Sequence, residues 1–207
     1  MPKVKPRYFK YGKKEIEWLK SRDPKLGKAM DRIGKVKREV NPDLFSSLVN
    51  SIIGQQISTK AQVTVWTRLN KKVKPLTPKA IELLSPEELQ PVGISMRKAL
   101  YIKGIAKAVL NKSLDLAQLP MLSDDEVCDK LTELNGIGRW TAEMLMIFSM
   151  QRKNILSYGD LGIIRGLKTL YKKTTISKEQ FAKYRERYSP YASVASLYLW
   201  VISREAN

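Results

Sequence analysis

Histidine is absent from the 207 residues, and cysteine occurs once, at Cys128. A single thiol excludes an intramolecular disulfide framework and a Cys-ligated iron–sulfur cluster, and without imidazoles the usual zinc and iron constellations are unavailable as well. Ser-His triads and histidine general bases fall with them, so acid–base or electrostatic chemistry is left to Asp, Glu, Lys, Tyr or the lone Cys. No apolar run reaches the ~18 residues of a membrane span. The opening MPKVKPRYFKYGKK lacks the apolar middle of a signal peptide, so an intracellular protein with no membrane association is expected. Period-two strand patterns are scarce: ILSY at 155–158 is the best candidate, and its length suits a connector. No repeat of ~34 residues or similar length is visible, which argues against a helical solenoid. Acidic residues number 20 against 38 basic ones, a formal net charge of +18 at a pI of about 9.9. That excess favours a polyanionic partner, nucleic acid first, although basic proteins without such a partner share it. The charge is uneven. Residues 1–40 are dense in Lys and Arg, while Asp124, Asp125, Glu126 and Asp129 form an acidic cluster whose face is expected to turn away from the polyanion.

What remains is mostly helix, and with 43% hydrophobic residues the chain can bury a sizeable core. Leu44, Phe45, Leu48, Val49, Ile52 and Ile53 give an apolar face after Asn41-Pro42, predicting a helix from Asp43 to about Ile57. Thr59 is expected to cap the next helix, with Val63, Trp66 and Leu69 inward. Thr77-Pro78 and Ser85-Pro86 place proline at a first helical position, and Ser85 with Glu88, Ser123 with Glu126 and Ser177 with Gln180 form capping boxes. Gly93-Ile94 breaks the chain before a helix from about Ser95 to Lys112. A last helix after Ser189-Pro190 carries Val194, Leu197, Tyr198 and Val201. The sum is an all-α protein of ten to twelve helices.

One stretch stands out, LNGIGRWTAEMLMIFSMQRKNILSYGD at 134–160. Two glycines one residue apart, Gly136 and Gly138, allow a tight turn and a close backbone approach to a ligand. The helix after them starts with unpaired N–H groups and the positive end of its dipole, a ready place for a phosphate oxygen. An ordinary turn between packed helices would read the same way. WTAEMLMIFSM is apolar nearly all round and is therefore expected to be buried. Asp160 could be a catalytic carboxylate or the N-cap of the helix LGIIRGLKTLY, and the two roles are compatible.

LNGIGRWTA resembles the helix-hairpin-helix motif of the DNA glycosylase superfamily named for that hairpin and its Gly/Pro-rich loop with a catalytic Asp, and Tyr158-Gly159-Asp160 resembles the loop. SIIGQQIS at 51–58, VGISMRKALYI at 92–102 and YSPYASVASLYLW at 188–200 match in the same order. Within the superfamily the chain is most similar to 3-methyladenine DNA glycosylases of the inducible alkylation-repair type. The resemblance implies two helical lobes flanking a cleft: a central lobe at 45–150 with the helix-hairpin-helix near 131–150, and a second lobe from 1–44 plus 151–207 that carries the aspartate. It implies Asp160 as the catalytic carboxylate, Trp140, Trp200 and Met144 as the pocket for the flipped base, and Met96 as the wedge into the duplex. Asn135, Gly136, Ile137, Gly138 and Arg139 would hold the DNA backbone, with a monovalent cation at the hairpin carbonyls and otherwise no metal and no cofactor. Core packing would explain either tryptophan too, and Met96 could be a plain methionine.

The implied chemistry suits these residue types. A fixed carboxylate in a water-poor site stabilises the oxocarbenium-like sugar and orients the attacking water. A cationic base such as 3-methyladenine leaves readily and gains ~0.5–2 kcal/mol against an indole face. Relatives that also cut the strand carry a Schiff-base lysine two residues after the second glycine. Trp140 stands there, so a monofunctional enzyme leaving an abasic site is expected, a monomer acting on duplex DNA with damaged bases. Two departures bear on substrate range: Ala192 stands where the family often has Arg after Pro190-Tyr191, and 207 residues are expected to leave no room for the extra N-terminal β-rich lobe of the bacterial inducible enzymes. The rivals are a glycosylase of the same superfamily for oxidised or mismatched bases, and a helix-hairpin-helix DNA-binding module without chemistry.

Overall fold

The computed structural model describes residues 6–205; residues 1–5 and 206–207, part of the basic N-terminal segment and of the second expected lobe, lie outside the described residues. In order, the chain forms β1 (Arg7–Tyr8), α1 (Lys13–Arg22), α2 (Pro24–Ile33), β2 (Glu39–Val40), α3 (Leu44–Gly54), α4 (Thr59–Lys72), α5 (Pro78–Glu82), α6 (Pro86–Leu89), α7 (Met96–Leu110), α8 (Asp124–Thr132), α9 (Arg139–Phe148), α10 (Leu161–Tyr171), α11 (Lys178–Tyr188) and α12 (Ala192–Ile202). The architecture is all-α apart from one antiparallel ladder of two residues a side, Arg7 opposite Val40 and Tyr8 opposite Glu39. A ladder that short leaves no period to read in the sequence. ILSY at 155–158 is connector.

Two compact units emerge, Asn41–Leu145 and Met1–Val40 with Met146–Asn207, so that the second boundary falls inside α9. In the first unit α7 packs on α3, α5 and α6, and α3 on α4. Its core is built from Leu48, Val49, Ile52, Ile53, Leu69, Ile81, Ile102, Ile105 and Leu131. In the second unit α12 lies against α2 and α10, and is buried on nearly every side. Asp23 ties this unit together from within: its Oδ1 accepts the Lys25 and Leu26 N–H groups as the N-cap of α2, and its Oδ2 accepts from the Tyr171 and Tyr188 hydroxyls and the Arg187 guanidinium. A buried carboxylate is tolerated only when paired in this way.

The helix starts follow the capping chemistry. Ser85, Ser123 and Ser177 each close a capping box, and Pro78 and Pro86 occupy first helical positions. Three expectations need correction. α3 stops at Gly54 rather than near Ile57, because Lys98 Nζ donates to the Ile53 and Gln55 carbonyls at its end and Gln56 turns left-handed at φ 56°. Ser58, not Thr59, caps α4 by accepting the Ala61 N–H. Val63 is 59% exposed, and Val65 points inward with Leu69, one helical turn on.

Candidate active site

Within the second unit the connector at 149–160 delivers Asp160 to the start of α10. Two buried serines of α12 fix that connector: Ser193 Oγ donates to the Arg152 carbonyl at 2.6 Å and accepts the Ile155 N–H at 2.9 Å, and Ser196 Oγ donates to the Ile155 carbonyl at 3.1 Å. Asn154 Nδ2 adds a bond to Ser189 Oγ at 3.0 Å, and Lys153 Nζ reaches Glu15 Oε1 at 2.6 Å. Asp160 is only 7% exposed. Its Oδ1 accepts the Ile163 N–H at 2.9 Å as the N-cap of α10 and the Trp200 indole N–H, also at 2.9 Å. Cap and indole together hold the carboxylate in one orientation.

Trp200 reaches Asp160 because α10 and α12 approach unusually closely. A Cβ at Gly166 would lie 2.3 Å from the Leu199 carbonyl oxygen, and one at Gly162 would lie 2.8 Å from Trp200 Cδ1 and 3.0 Å from Asp160 Oδ1. These glycines, one turn apart on α10, open the groove that α12 fills. The half-buried Trp200 ring stacks on Phe148 at 5.5 Å between centroids and 29° between planes. The Arg38 guanidinium sits 5.6 Å from the Phe148 centroid and 5.7 Å from that of Trp200. Burial holds Arg38 below the ordinary arginine range, and the like charge of Arg204 adds to the effect. Its backbone is fixed beside the small ladder, the Arg38 carbonyl accepting the Phe9 N–H at 2.9 Å. Lys37, Arg38, Glu39 and Phe148 line an open cavity of about 390 Å³, within the ~300–1,000 Å³ of small-molecule sites.

The first unit carries the hairpin. Gly136 has φ 87°, and a Cβ there would meet Tyr101 Cδ2 at 2.4 Å and Ile52 Cδ1 at 3.0 Å, so this glycine serves the chain's own packing. Gly138 differs: nothing lies within 4 Å of its hypothetical Cβ, which leaves space for an outside group. Ile137 is buried and its N–H already donates to the Leu134 carbonyl, so it has no donor left for a phosphate. α9 starts directly after Gly138, so the positive end of its dipole lies beside that open space. Gln55 Nε2 donates to the Gly136 carbonyl at 2.7 Å, clamping the hairpin to the turn at 55–58. As a cation site the hairpin is half suited: the Leu134 and Gly136 oxygens each carry one hydrogen bond, and a carbonyl oxygen keeps a second lone pair. Among the described residues no cluster of three or more Cys, Asp or Glu could hold a metal ion.

Other expected residues are placed with corrections. Trp140 is 49% exposed, so α9 is not buried all round; Thr141, Ala142, Leu145, Met146 and Ile147 form its inner face. Met144, half-buried, is one turn from Trp140 on the same side. Asn135 and Arg139 are exposed, but the Arg139 guanidinium lies 3.3 Å from Glu143 and 3.6 Å from Asp125. Asp125 of the acidic cluster therefore reaches the hairpin helix, and Arg139 is part-neutralised. Met96 is half-buried at the first position of α7. Two residues on, Lys98 supports the turn that holds exposed Gln56 in its left-handed conformation. Gln56, Phe148, Arg38, Ser193, Ser196, Gly162 and Gly166 escaped sequence reasoning. A G-x-x-x-G spacing was the available signal for the last two; the others depend on contacts between distant segments.

Comparison with known proteins gives a consistent result. Residues 49–190 match the family described as HhH-GPD superfamily base excision DNA repair protein. The DNA-3-methyladenine glycosylase 1 of Schizosaccharomyces pombe is 30% identical over 79% of this chain and 74% of its own length. The crystal structure of a Bacillus halodurans DNA-3-methyladenine glycosidase superposes with a TM-score of 0.86 at 36% identity, covering 95% of this chain and 92% of that one. A Schizosaccharomyces pombe 3-methyladenine DNA glycosylase in complex with abasic DNA superposes with a TM-score of 0.78 at 27% identity, over 90% of this chain and 95% of that one.

Proposed function

The chain belongs to the HhH-GPD superfamily of base excision DNA repair proteins, and from that premise we propose that it is a DNA glycosylase releasing alkylated bases of the 3-methyladenine type from duplex DNA. The observation that carries the reading is the paired engagement of Asp160 Oδ1 by the Ile163 and Trp200 N–H groups. Breaking an N-glycosidic bond leaves positive charge on the sugar, and a carboxylate already oriented in a largely buried position stabilises that charge without having to reorganise. Asp160 is the catalytic group in this reading, and Trp200 both orients it and walls the base pocket. The positive end of the α9 dipole and the open space at Gly138 suit a phosphate of the duplex, and Trp140 and Met144 offer apolar surface to the flipped base. A monovalent cation at the Leu134 and Gly136 carbonyls would add positive charge beside that phosphate.

With Trp140 where a Schiff-base lysine would stand, the enzyme leaves an abasic site and does not cut the strand. Extrusion of the base calls for a side chain to take its place in the stack. Met96 is one candidate, and Gln56, exposed on a strained turn braced by Gln55 and Lys98, is another. The protein acts as a monomer, and no described helix is long and apolar enough to cross a membrane.

The deciding experiment measures free base released from duplexes carrying methylated, oxidised or mismatched bases. Release from methylated duplexes alone is expected. Asp160→Asn should keep DNA binding and lower release by ~100-fold or more. Excision by that variant at near-normal rate would remove Asp160 from the mechanism, and no release from any duplex would leave a DNA-binding module.

A further inference from the structure

The aromatic pair Phe148–Trp200 already holds a cation. The two ring centroids and the Arg38 guanidinium carbon form a nearly equilateral triangle with sides of 5.5, 5.6 and 5.7 Å. Each ring is therefore within cation–π range of the same guanidinium. Nothing else holds that charge firmly. No carboxylate pairs with Arg38 among the described residues, burial disfavours its charged form, and Arg204 repels it. Its backbone is anchored at the ladder, whereas the side chain is long and borders the cavity formed with Lys37, Glu39 and Phe148. Trp200, at the centre of this arrangement, is the residue whose other edge holds Asp160.

We propose that Arg38 is a specificity-determining residue, a resident cation that an incoming base must displace from the Phe148 and Trp200 rings. A base carrying a positive charge replaces one cation–π contact by another, so the exchange is close to even. A neutral base, normal or damaged, removes the guanidinium from the rings without supplying a charge in return. Its entry carries that loss in full. Discrimination then arises from what the base expels as well as from what it touches, and a pocket without a strong general acid can reject neutral purines. The inference rests on the proposed glycosylase activity and adds to it the residue that sets charge selectivity.

The test compares Arg38→Met, similar in length and uncharged, with Arg38→Lys, which keeps the charge. The measurement is the ratio of kcat/KM for 3-methyladenine, cationic in DNA, to kcat/KM for hypoxanthine, a neutral purine. In Arg38→Met the ratio should fall about 2- to 30-fold, which is the ~0.5–2 kcal/mol of a cation–π contact converted at ~1.4 kcal/mol per tenfold. In Arg38→Lys it should stay near that of the parent. A merely structural role would lower both rates together and leave the ratio in place, and that result overturns the proposal. So does a ratio that rises, since Arg38 would then repel cationic bases, or one that falls equally in both variants. Should the parent protein release no base from any duplex, the enzymatic reading fails, and the Arg38 inference is decided by binding instead. Tryptophan fluorescence titration with 1-methyladenosine, a cation, and with neutral adenosine should then show the preference for the cation shrinking in Arg38→Met by the same factor; an unchanged preference refutes it.

Discussion

Replacing Gly162 by alanine tests whether Trp200 and Asp160 act as one positioned unit. Gly162 lies in the first turn of α10 with ordinary helical geometry, so alanine there gains up to ~1 kcal/mol of helix propensity. Against this, the new Cβ would lie 2.8 Å from Trp200 Cδ1, 3.0 Å from Asp160 Oδ1 and 3.3 Å from Trp200 Nε1. Carbon–carbon contact is comfortable at ~3.5–4.0 Å, so the indole has to retreat by roughly 0.7 Å. The bond from Trp200 Nε1 to Asp160 Oδ1, now 2.9 Å, would lengthen past the ~3.2 Å limit of a good N–H···O bond. Overpacking costs ~1–3 kcal/mol, leaving a net destabilisation of about 0–2 kcal/mol after the propensity gain. In a chain of this size that corresponds to at most ~8 °C in Tm. Misplacing catalytic groups by this much should slow base release by ~10- to 100-fold. Single-turnover release from a methylated duplex, beside thermal unfolding by circular dichroism, separates the two effects. Gly166→Ala is the contrast, because its Cβ meets the Leu199 backbone carbonyl at 2.3 Å and backbone cannot swing aside; there stability should fall first. Gly104→Ala, with nothing within 4 Å, is the control and should keep or raise Tm. Normal release by a folded Gly162→Ala protein would refute the view that the Trp200–Asp160 contact positions the carboxylate.

The two hairpin glycines should behave differently. Gly136→Ala forces a side chain into φ 87° and into Tyr101, at a cost of ~2–4 kcal/mol read by denaturant unfolding, whereas Gly138→Ala should leave stability alone and weaken duplex binding by filling the space open to a phosphate; unchanged affinity would place the backbone contact elsewhere. If a side chain fills the gap left by the flipped base, Met96→Ala and Gln56→Ala assayed for affinity to abasic duplex will identify it, and a loss confined to Gln56→Ala would transfer the role from Met96. Lys153 beside Glu15 holds the Glu15 carboxyl down at about 2, below the ~4.3 of an unfolded chain. The ion pair therefore stabilises fully above about pH 4.5 and loses its contribution as pH falls toward 2, on the order of 1–2 kcal/mol once the half-exposed lysine is allowed for. Glu15→Gln should flatten the acid limb of the stability curve, and an unchanged limb would show that the pair contributes nothing.

Capping boxes, proline positions and the helical period were legible in the sequence because each is a local rule: the groups that satisfy a helix terminus lie within four residues of it. The absence of histidine and of a second cysteine restricted acid–base or electrostatic chemistry to Asp, Glu, Lys, Tyr and one Cys in the same direct way, and the ordered motifs at 51–58, 92–102, 134–160 and 188–200 pointed to the superfamily. The sequence also marked Asp160 as both a helix cap and a candidate catalyst, and the cap geometry is observed. Tertiary structure decided the rest. That Asp160 is held by an indole forty residues away depends on Gly162 and Gly166 letting α12 approach α10. That Gly136 serves internal packing while Gly138 faces open space depends on Tyr101 and Ile52, which no local pattern connects to the hairpin. That Arg139 meets Asp125, and Arg38 lies on two aromatic rings, follows from side chains of separate segments meeting in the fold. Spacing along a helix specifies which residues share a face; only the packing of faces determines what each one meets.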